Sequence, residues 1–280
     1  MCPITETNDS LVLEDVTFGY VPDQPVVRSV STRLAAGKVT VLIGPNAAGK
    51  TSLLRLMLGQ LAAGRGRVLC GGVDVRTMRS AQRAALISYV PQRGGVRFGF
   101  GVEQVVRMGR FALAADEGAI ERAIADCGLA KLRRRSFAAL SVGQQQRVLL
   151  ARALAQSAGS PKGRGVMLLD EPGSAMDPWH VHRTMGLLRR EASAGAAVLV
   201  VLHDLNLAAR YADVVWLMAD GRLVQRGRWD EVMRPEHLEP VYRVRFIPLV
   251  ATAGGRPVFY VEPADTLSEV SPSAGERGDD

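Results

Sequence analysis

The feature that most constrains this chain is a junction. The β-favouring run Val39-Thr40-Val41-Leu42-Ile43 passes without a break into Gly44-Pro45-Asn46-Ala47-Ala48-Gly49-Lys50-Thr51. The following Ser52-Leu53-Leu54-Arg55-Leu56-Met57-Leu58 reads as a helix closed by Gly59. A continuous apolar run bounded by turn residues is the pattern of a strand buried on both faces. Strand, glycine-bearing loop and helix in that order open a βαβ unit. The loop has the spacing G-x-x-x-x-G-K-[ST], and the chemistry needs that spacing. Backbone N–H groups must wrap a phosphate at a helix N-terminus, and glycine permits the close approach. Lys50 can reach the β- and γ-phosphates of a nucleotide, and the Thr51 hydroxyl suits Mg²⁺. A chance match in a glycine-bearing turn is the competing reading, and the flanking strand and helix argue against it.

A second element supplies what phosphoryl transfer still lacks. Val166-Met167-Leu168-Leu169-Asp170-Glu171 is an apolar strand ending in two acids. One carboxylate must position Mg²⁺ and another group must orient the attacking water. Asp170 suits the first role and Glu171 the second. A solvated acid pair at a strand end is the bland alternative. The loop and the acids together define a P-loop NTPase, a class that also covers helicases, recombinases and GTPases.

The rest of the chain sets bounds. Its 280 residues suffice for one large α/β domain, or for one with a subdomain inserted. Aromatics are scarce at 5% while 47% of residues are apolar, so the core must come largely from Ala, Val and Leu. No apolar run approaches the roughly 18–20 residues of a membrane-spanning helix. The N-terminus lacks the basic and apolar regions of a signal peptide, so a soluble protein that stays where it is made is expected. Cys2, Cys70 and Cys127 are scattered without CxxC spacing, against both a disulfide framework and a zinc site. The net charge of +7 leaves an anionic membrane face, nucleic acid or a merely Arg-rich composition open.

Residues 11–20 have β-character and the first third reads as strands and turns. From about 93 to 156 helical patterns replace them, at 103–108, 117–127 and 144–155. Buried strands return at 165–170 and 196–203, with shorter ones near 214–218 and 222–225. A helical insert within a parallel-sheet domain explains this order better than two consecutive domains. A single domain is expected over 10–262, with a polar turn-rich loop at 157–165 and a disordered tail over 263–280. No internal repeat is visible.

At this point the chain resembles the ABC-transporter ATPase family along nearly its whole folded length. Leu140-Ser141-Val142-Gly143-Gln144-Gln145-Gln146-Arg147 looks like the family's signature motif. Tyr89-Val90-Pro91-Gln92 resembles its Gln-loop, Ser174-Ala175-Met176-Asp177 its D-loop, His203 its switch histidine and Tyr20 the aromatic that stacks on adenine. The resemblance implies an α/β P-loop core with a predominantly parallel sheet, an N-terminal antiparallel β subdomain and an inserted helical subdomain. It implies ATP and Mg²⁺ as ligands, held by Tyr20, the loop 44–52 including Ser52, and Ser141, Val142, Gly143 and Gln144. Thr51, Gln92 and Asp170 would serve the metal, and Glu171, His203, Lys50 and Gln92 the chemistry. It further implies two subunits closing head to tail as a homodimer, each ATP lying between one loop and the other subunit's signature. Permease subunits, a substrate-binding protein and a place at the cytoplasmic face of the cell membrane follow from the same likeness. Three residues depart from the pattern: Val142 for a signature glycine, Ala47 for a loop glycine, and Gly173 where Thr is frequent.

Finer segments bear on cargo. The stretch 203–213, with Asp204-Leu205-Asn206 and Ala209-Arg210-Tyr211, and Val105-Val106-Arg107-Met108-Gly109-Arg110 resemble importers of ferric siderophores, haem and cobalamin. The loop 157–165, Val241-Tyr242 and Gly255-Arg256-Pro257 resemble the haem importers. An importer for cobalamin, zinc or another substrate, and a non-transport ATPase acting on nucleic acid, stay as alternatives. The coiled coils, zinc cysteines and tandem cassettes of the nucleic-acid relatives are not seen, so no nucleic-acid partner is expected.

Overall fold

A computed structural model describes residues 9–92, 94, 99–160, 165–249 and 255–263. The tail expected to be disordered, from residue 264 on, and the middle of the 157–165 loop lie outside them.

The strands are β1 (Asp9–Phe18), β2 (Val27–Ala35), β3 (Val39–Ile43), β4 (Arg65–Cys70), β5 (Val73–Asp74), β6 (Ile87–Val90), β7 (Val166–Asp170), β8 (Ala197–Val201), β9 (Val214–Ala219), β10 (Arg222–Arg228), β11 (Val244–Leu249) and β12 (Val258–Pro263). The helices are α1 (Lys50–Met57), α2 (Ser80–Leu86), α3 (Val102–Arg107), α4 (Glu117–Asp126), α5 (Val142–Ser157), α6 (Pro178–Ser193), α7 (Leu205–Tyr211), α8 (Trp229–Val232) and α9 (Pro235–Tyr242).

The central sheet has the order β10-β9-β3-β8-β7-β6. Every pairing from β9 to β6 is parallel, and β10 adds an antiparallel edge. The strands β3, β7 and β8 are buried at every position, as their unbroken apolar sequences require. Because side chains alternate along a strand, each one feeds two cores. Val39, Val41 and Ile43 join Met167, Leu169, Val198 and Val200 on one face, against α5, α6 and the helical insert. Leu42, Leu168, Leu199 and Val201 point the other way, into a core with α1 and the antiparallel sheet β2-β1-β4-β5. Ala, Val and Leu supply most of both cores, and Trp216 is a fully buried exception.

The helices α3, α4 and α5 form the insert, and Gly109 shows how closely they approach. A Cβ there would lie 2.2 Å from the Arg152 carbonyl oxygen. Boundaries differ from the sequence expectation mainly at caps. The first helix starts at Lys50 rather than Ser52, because the left-handed Gly49 turns the chain directly into it. The strand read over 11–20 ends at Phe18, before a tight turn bridged between Val21 and Gln24. The hairpin β11–β12, over Val244–Leu249 and Val258–Pro263, had no strand assigned to it from the sequence. Among the described residues no helix is long and apolar enough to cross a membrane.

Candidate functional site

Parallel strands deliver their C-terminal ends to one edge of the sheet, where open α/β sheets bind ligands. Here β3 delivers the phosphate loop, β8 delivers His203, β7 delivers Asp170 and Glu171, and β6 delivers Gln92. The order β3-β8-β7-β6 makes these ends neighbours although they are far apart in the chain.

The loop is pressed against the sheet. Gly44 has φ +148°, and a Cβ on it would lie 2.1 Å from the Met218 carbonyl oxygen of β9. At Gly49, with φ +102°, a Cβ would lie 2.6 Å from the Val26 carbonyl oxygen. Ala47 sits at φ +62°, a left-handed conformation. That is the physical reason a glycine suits this position, and alanine there carries a backbone strain of about 1 kcal/mol. Lys50 is buried, and its Nζ donates to the carbonyls of Gly44 and Pro45, both at 2.7 Å. Burial pulls its pKa below the ordinary lysine value, and the charges of Glu171 and Asp170 oppose that shift. Tyr20 stands exposed beside the loop, its hydroxyl 3.2 Å from Ser52 Oγ and its ring edge-on to Phe18 at 4.8 Å.

Asp170 is 2% exposed. Its Oδ2 accepts from the Thr51 hydroxyl at 3.1 Å, while its Oδ1 is buried without a hydrogen-bond partner among the described residues. Burial raises its pKa first, the Thr51 bond works against that, and the Glu171 charge adds to it. A buried carboxylate oxygen left unpaired is costly unless something cationic completes it. The donors fit Mg²⁺, a hard ion held through one or two carboxylates plus substrate phosphates. Among the described residues no cluster of three or more His, Cys, Asp or Glu side chains forms a closed protein cage.

Glu171 is the geometric centre. Gln92 Nε2 donates to its Oε2 at 2.7 Å, and His203 Nε2 lies 2.5 Å from its Oε1. Its own φ is +48°, a left-handed value that is strained for a residue other than glycine. Beside it a cavity of about 260 Å³ is lined by Gly173, Val181, Met185 and Leu207 as well as Glu171 and His203. A Cβ on Gly173 would lie 3.0 Å from Val181 Cγ2, so a larger residue would require Val181 to yield.

The Ser141–Gln144 group caps α5. Ser141 Oγ accepts from the Gln144 amide at 3.3 Å, and Gln144 Oε1 accepts from the Ser141 amide at 3.1 Å. This is a capping box, and it satisfies two donors the helix end leaves open. Val142 is 62% exposed. Gly143 abuts the next segment, since a Cβ would meet the Ala175 carbonyl at 2.5 Å. No hydrogen bond joins this group to the phosphate loop among the described residues. Sequence reasoning overlooked Gln146. Buried on α5, it donates to the Gln92 carbonyl at 3.2 Å and Ser174 Oγ at 3.1 Å, and accepts from the Ala175 amide at 3.3 Å. Its signal was weak: it stands in the polar run Gln144-Gln145-Gln146-Arg147, and only the fold buries it while its neighbours stay partly exposed.

A fold and a site of this kind define a nucleotide-hydrolysing cassette. The family model described as ABC transporter matches residues 27–174. The chain belongs to that family, binds ATP and is one of its ATPases. Among its relatives, the hemin import ATP-binding protein HmuV of Pseudomonas fluorescens strain Pf-5 is 43% identical over 78% of this chain and 86% of that protein. The cobalamin import ATP-binding protein BtuD of Halobacterium salinarum is 40% identical over 79% of this chain and 56% of its own length. In fold, an ATP-binding subunit of an ABC transporter superposes with a TM-score of 0.74 at 23% identity, covering 83% of this chain and 98% of the other. CbiO1 of Clostridium perfringens gives 0.68 at 26%, covering 83% and 93%.

Proposed function

We propose that this chain is the ATP-hydrolysing subunit of an importer for iron complexes, with haem as the cargo. The import reading draws on the 43% identity to a hemin import protein. Cobalamin is the second reading, favoured by the 40% identity to a cobalamin import protein. The chain would act as a homodimer at the cytoplasmic face of the membrane, coupled to permease subunits and fed by a substrate-binding protein. Its positive charge is assigned to no nucleic acid.

The observation that carries the catalytic reading is the grip of Gln92 and His203 on the Glu171 carboxylate. ATP is the substrate, its phosphates in the amides of the 44–52 loop and its adenine against Tyr20. Glu171 accepts a proton from the attacking water, whose oxygen bonds to the γ-phosphorus as the bond to the β-phosphate oxygen breaks. Lys50 and His203 stabilise the charge on the transferring group. Thr51 and Asp170 would hold Mg²⁺, joined by the Gln92 amide oxygen, whose nitrogen is already committed to Glu171. When bound, that ion neutralises charge on the β- and γ-phosphates. Ser141 and the Gly143 amide of the partner subunit would complete the γ-phosphate site.

Asp170→Asn should therefore raise the Mg²⁺ concentration needed for half-maximal hydrolysis by about tenfold or more, roughly 1.4 kcal/mol. A Mg²⁺ titration of the ATPase rate checks this, and an unshifted midpoint refutes the metal assignment. At Val142, a Cβ should crowd the γ-phosphate or stiffen the backbone. Val142→Gly should raise the hydrolysis rate with ATP binding unchanged, and an unaltered rate would show that the valine is neutral. For the transport reading, uptake of haem, a ferric siderophore and cobalamin is compared in cells lacking the gene. Loss of haem uptake, restored by the wild-type chain and not by Glu171→Gln, is expected. Loss of cobalamin uptake alone would favour the second reading, and unchanged uptake of all three would overturn both.

A further inference from the structure

The helix that follows His203 is not self-supporting. With seven residues, α7 is about two turns long, and helices of that length do not persist in water alone. Asp204 caps its start, accepting from the amides of Asn206 and Leu207 at 2.8 and 3.0 Å. Further hydrogen bonds come from the C-terminal hairpin. Asn206 Oδ1 accepts from the Phe259 amide at 2.7 Å, and Asn206 Nδ2 donates to the Phe259 carbonyl at 3.3 Å. The side chain thus pairs with β12 in both directions, as a neighbouring strand would. At the other end of α7, Arg256 Nη1 donates to the carbonyls of Ala209 and Ala212 at 2.8 and 2.9 Å. Those carbonyls are among the ones a helix C-terminus leaves open.

The hairpin has its own footing. Phe246 and Phe259 are each 4% exposed, with their rings edge-on at 6.0 Å. Tyr242 of α9 meets Phe246 at 5.8 Å, and the Phe246 amide donates to Glu239 Oε1 at 2.9 Å. The Arg256 guanidinium lies over the Trp229 ring, 4.7 Å from its centroid. Strand β12 is therefore anchored in the core and can hold α7, rather than being held by it.

We propose that the β11–β12 hairpin sets the position of His203, with Asn206 and Arg256 as positioning residues for ATP hydrolysis. The inference rests on the role proposed above for His203. Only Leu202, His203 and Asp204 lie between the end of β8 and the start of α7, so a shift of α7 reaches the imidazole with little slack. The His203 side chain is 46% exposed, so packing alone does not fix its ring against Glu171. A misplacement of about 1 Å at a reacting group costs on the order of a hundredfold in rate. Losing one of two tethers should cost about tenfold.

The test is steady-state ATP hydrolysis by the full chain carrying Asn206→Ala, Arg256→Ala, Arg256→Lys or His203→Ala, and the doubles with His203→Ala. Asn206→Ala and Arg256→Ala should each lower kcat about tenfold with KM for ATP within about twofold, and Arg256→Lys should recover most of the loss. In the His203→Ala background either change should add less than about twofold, because the group they position is gone. Unchanged kcat, a KM that rises in step, or losses that multiply fully in that background would each overturn the proposal. Should Asn206→Ala fail to fold by circular dichroism, the Arg256 pair, at a partly exposed side chain, carries the same comparison. An undiminished kcat in His203→Ala itself would overturn the role of His203 and this proposal with it. A loss in His203→Ala beside a normal Asn206→Ala and Arg256→Ala would overturn the hairpin's role alone.

Discussion

Glu171→Gln should lower ATP hydrolysis by about a hundredfold or more while ATP affinity stays within about twofold. The carboxylate takes one hydrogen bond on each oxygen, from Gln92 at 2.7 Å and from His203 at 2.5 Å. Glutamine keeps the shape and the left-handed backbone but exchanges one accepting oxygen for an NH₂ donor. That group can neither take a proton from water nor accept from Gln92 and His203 together. Nothing in the phosphate loop changes, so binding should survive. Parallel measurements of phosphate release and nucleotide binding decide the matter. Hydrolysis within fivefold of wild type would move the general-base role to another residue.

Gly44→Ala should damage both the fold and nucleotide binding with a single added methyl. At φ +148° an L-residue is strained, and the added Cβ would lie 2.1 Å from the Met218 carbonyl oxygen. The obstacle is main chain of a central strand, so no side chain can rotate out of the way. Relief requires moving either the loop or β9, at a cost of about 2 kcal/mol or more. The expected result is a lower unfolding midpoint together with ATP binding weakened by at least about tenfold, because the displaced loop no longer aims its amides at the phosphates. Thermal melts with and without ATP test both parts. A variant with wild-type stability and affinity would mean that the loop has more freedom than this packing allows.

The parts legible in the sequence were those in which chemistry is local. The phosphate loop is contiguous, and so is the acid pair at the end of β7, so residue type and spacing carry their meaning directly. The helical insert showed itself by a change of periodicity, and the buried strands by unbroken apolar runs. What stayed hidden involved pairs remote in the chain. Gln92 and Glu171 are 79 residues apart and His203 is 32 beyond Glu171, yet the three side chains meet. Gln146 looked like one more glutamine in a polar run, until the fold placed it between the Gln92 carbonyl and the Ser174–Ala175 turn. The C-terminal hairpin was missed because Pro248 and the charged positions of β11 and β12 blur the alternation that marks a strand.

The sequence by itself determined that this chain binds a nucleotide phosphate and carries two acids suited to its hydrolysis, because those functions need particular residues at fixed short spacings. Tertiary structure decided which groups stand around the reacting centre. The order of strands in the sheet follows from how two apolar faces can both be buried, and that order brings the ends of β3, β8, β7 and β6 to one edge. It also decided that Asp170 keeps one oxygen without a partner among the described residues and that Ala47 bears a glycine's backbone. Burial and backbone direction are properties of the packed chain, and no local spacing encodes them.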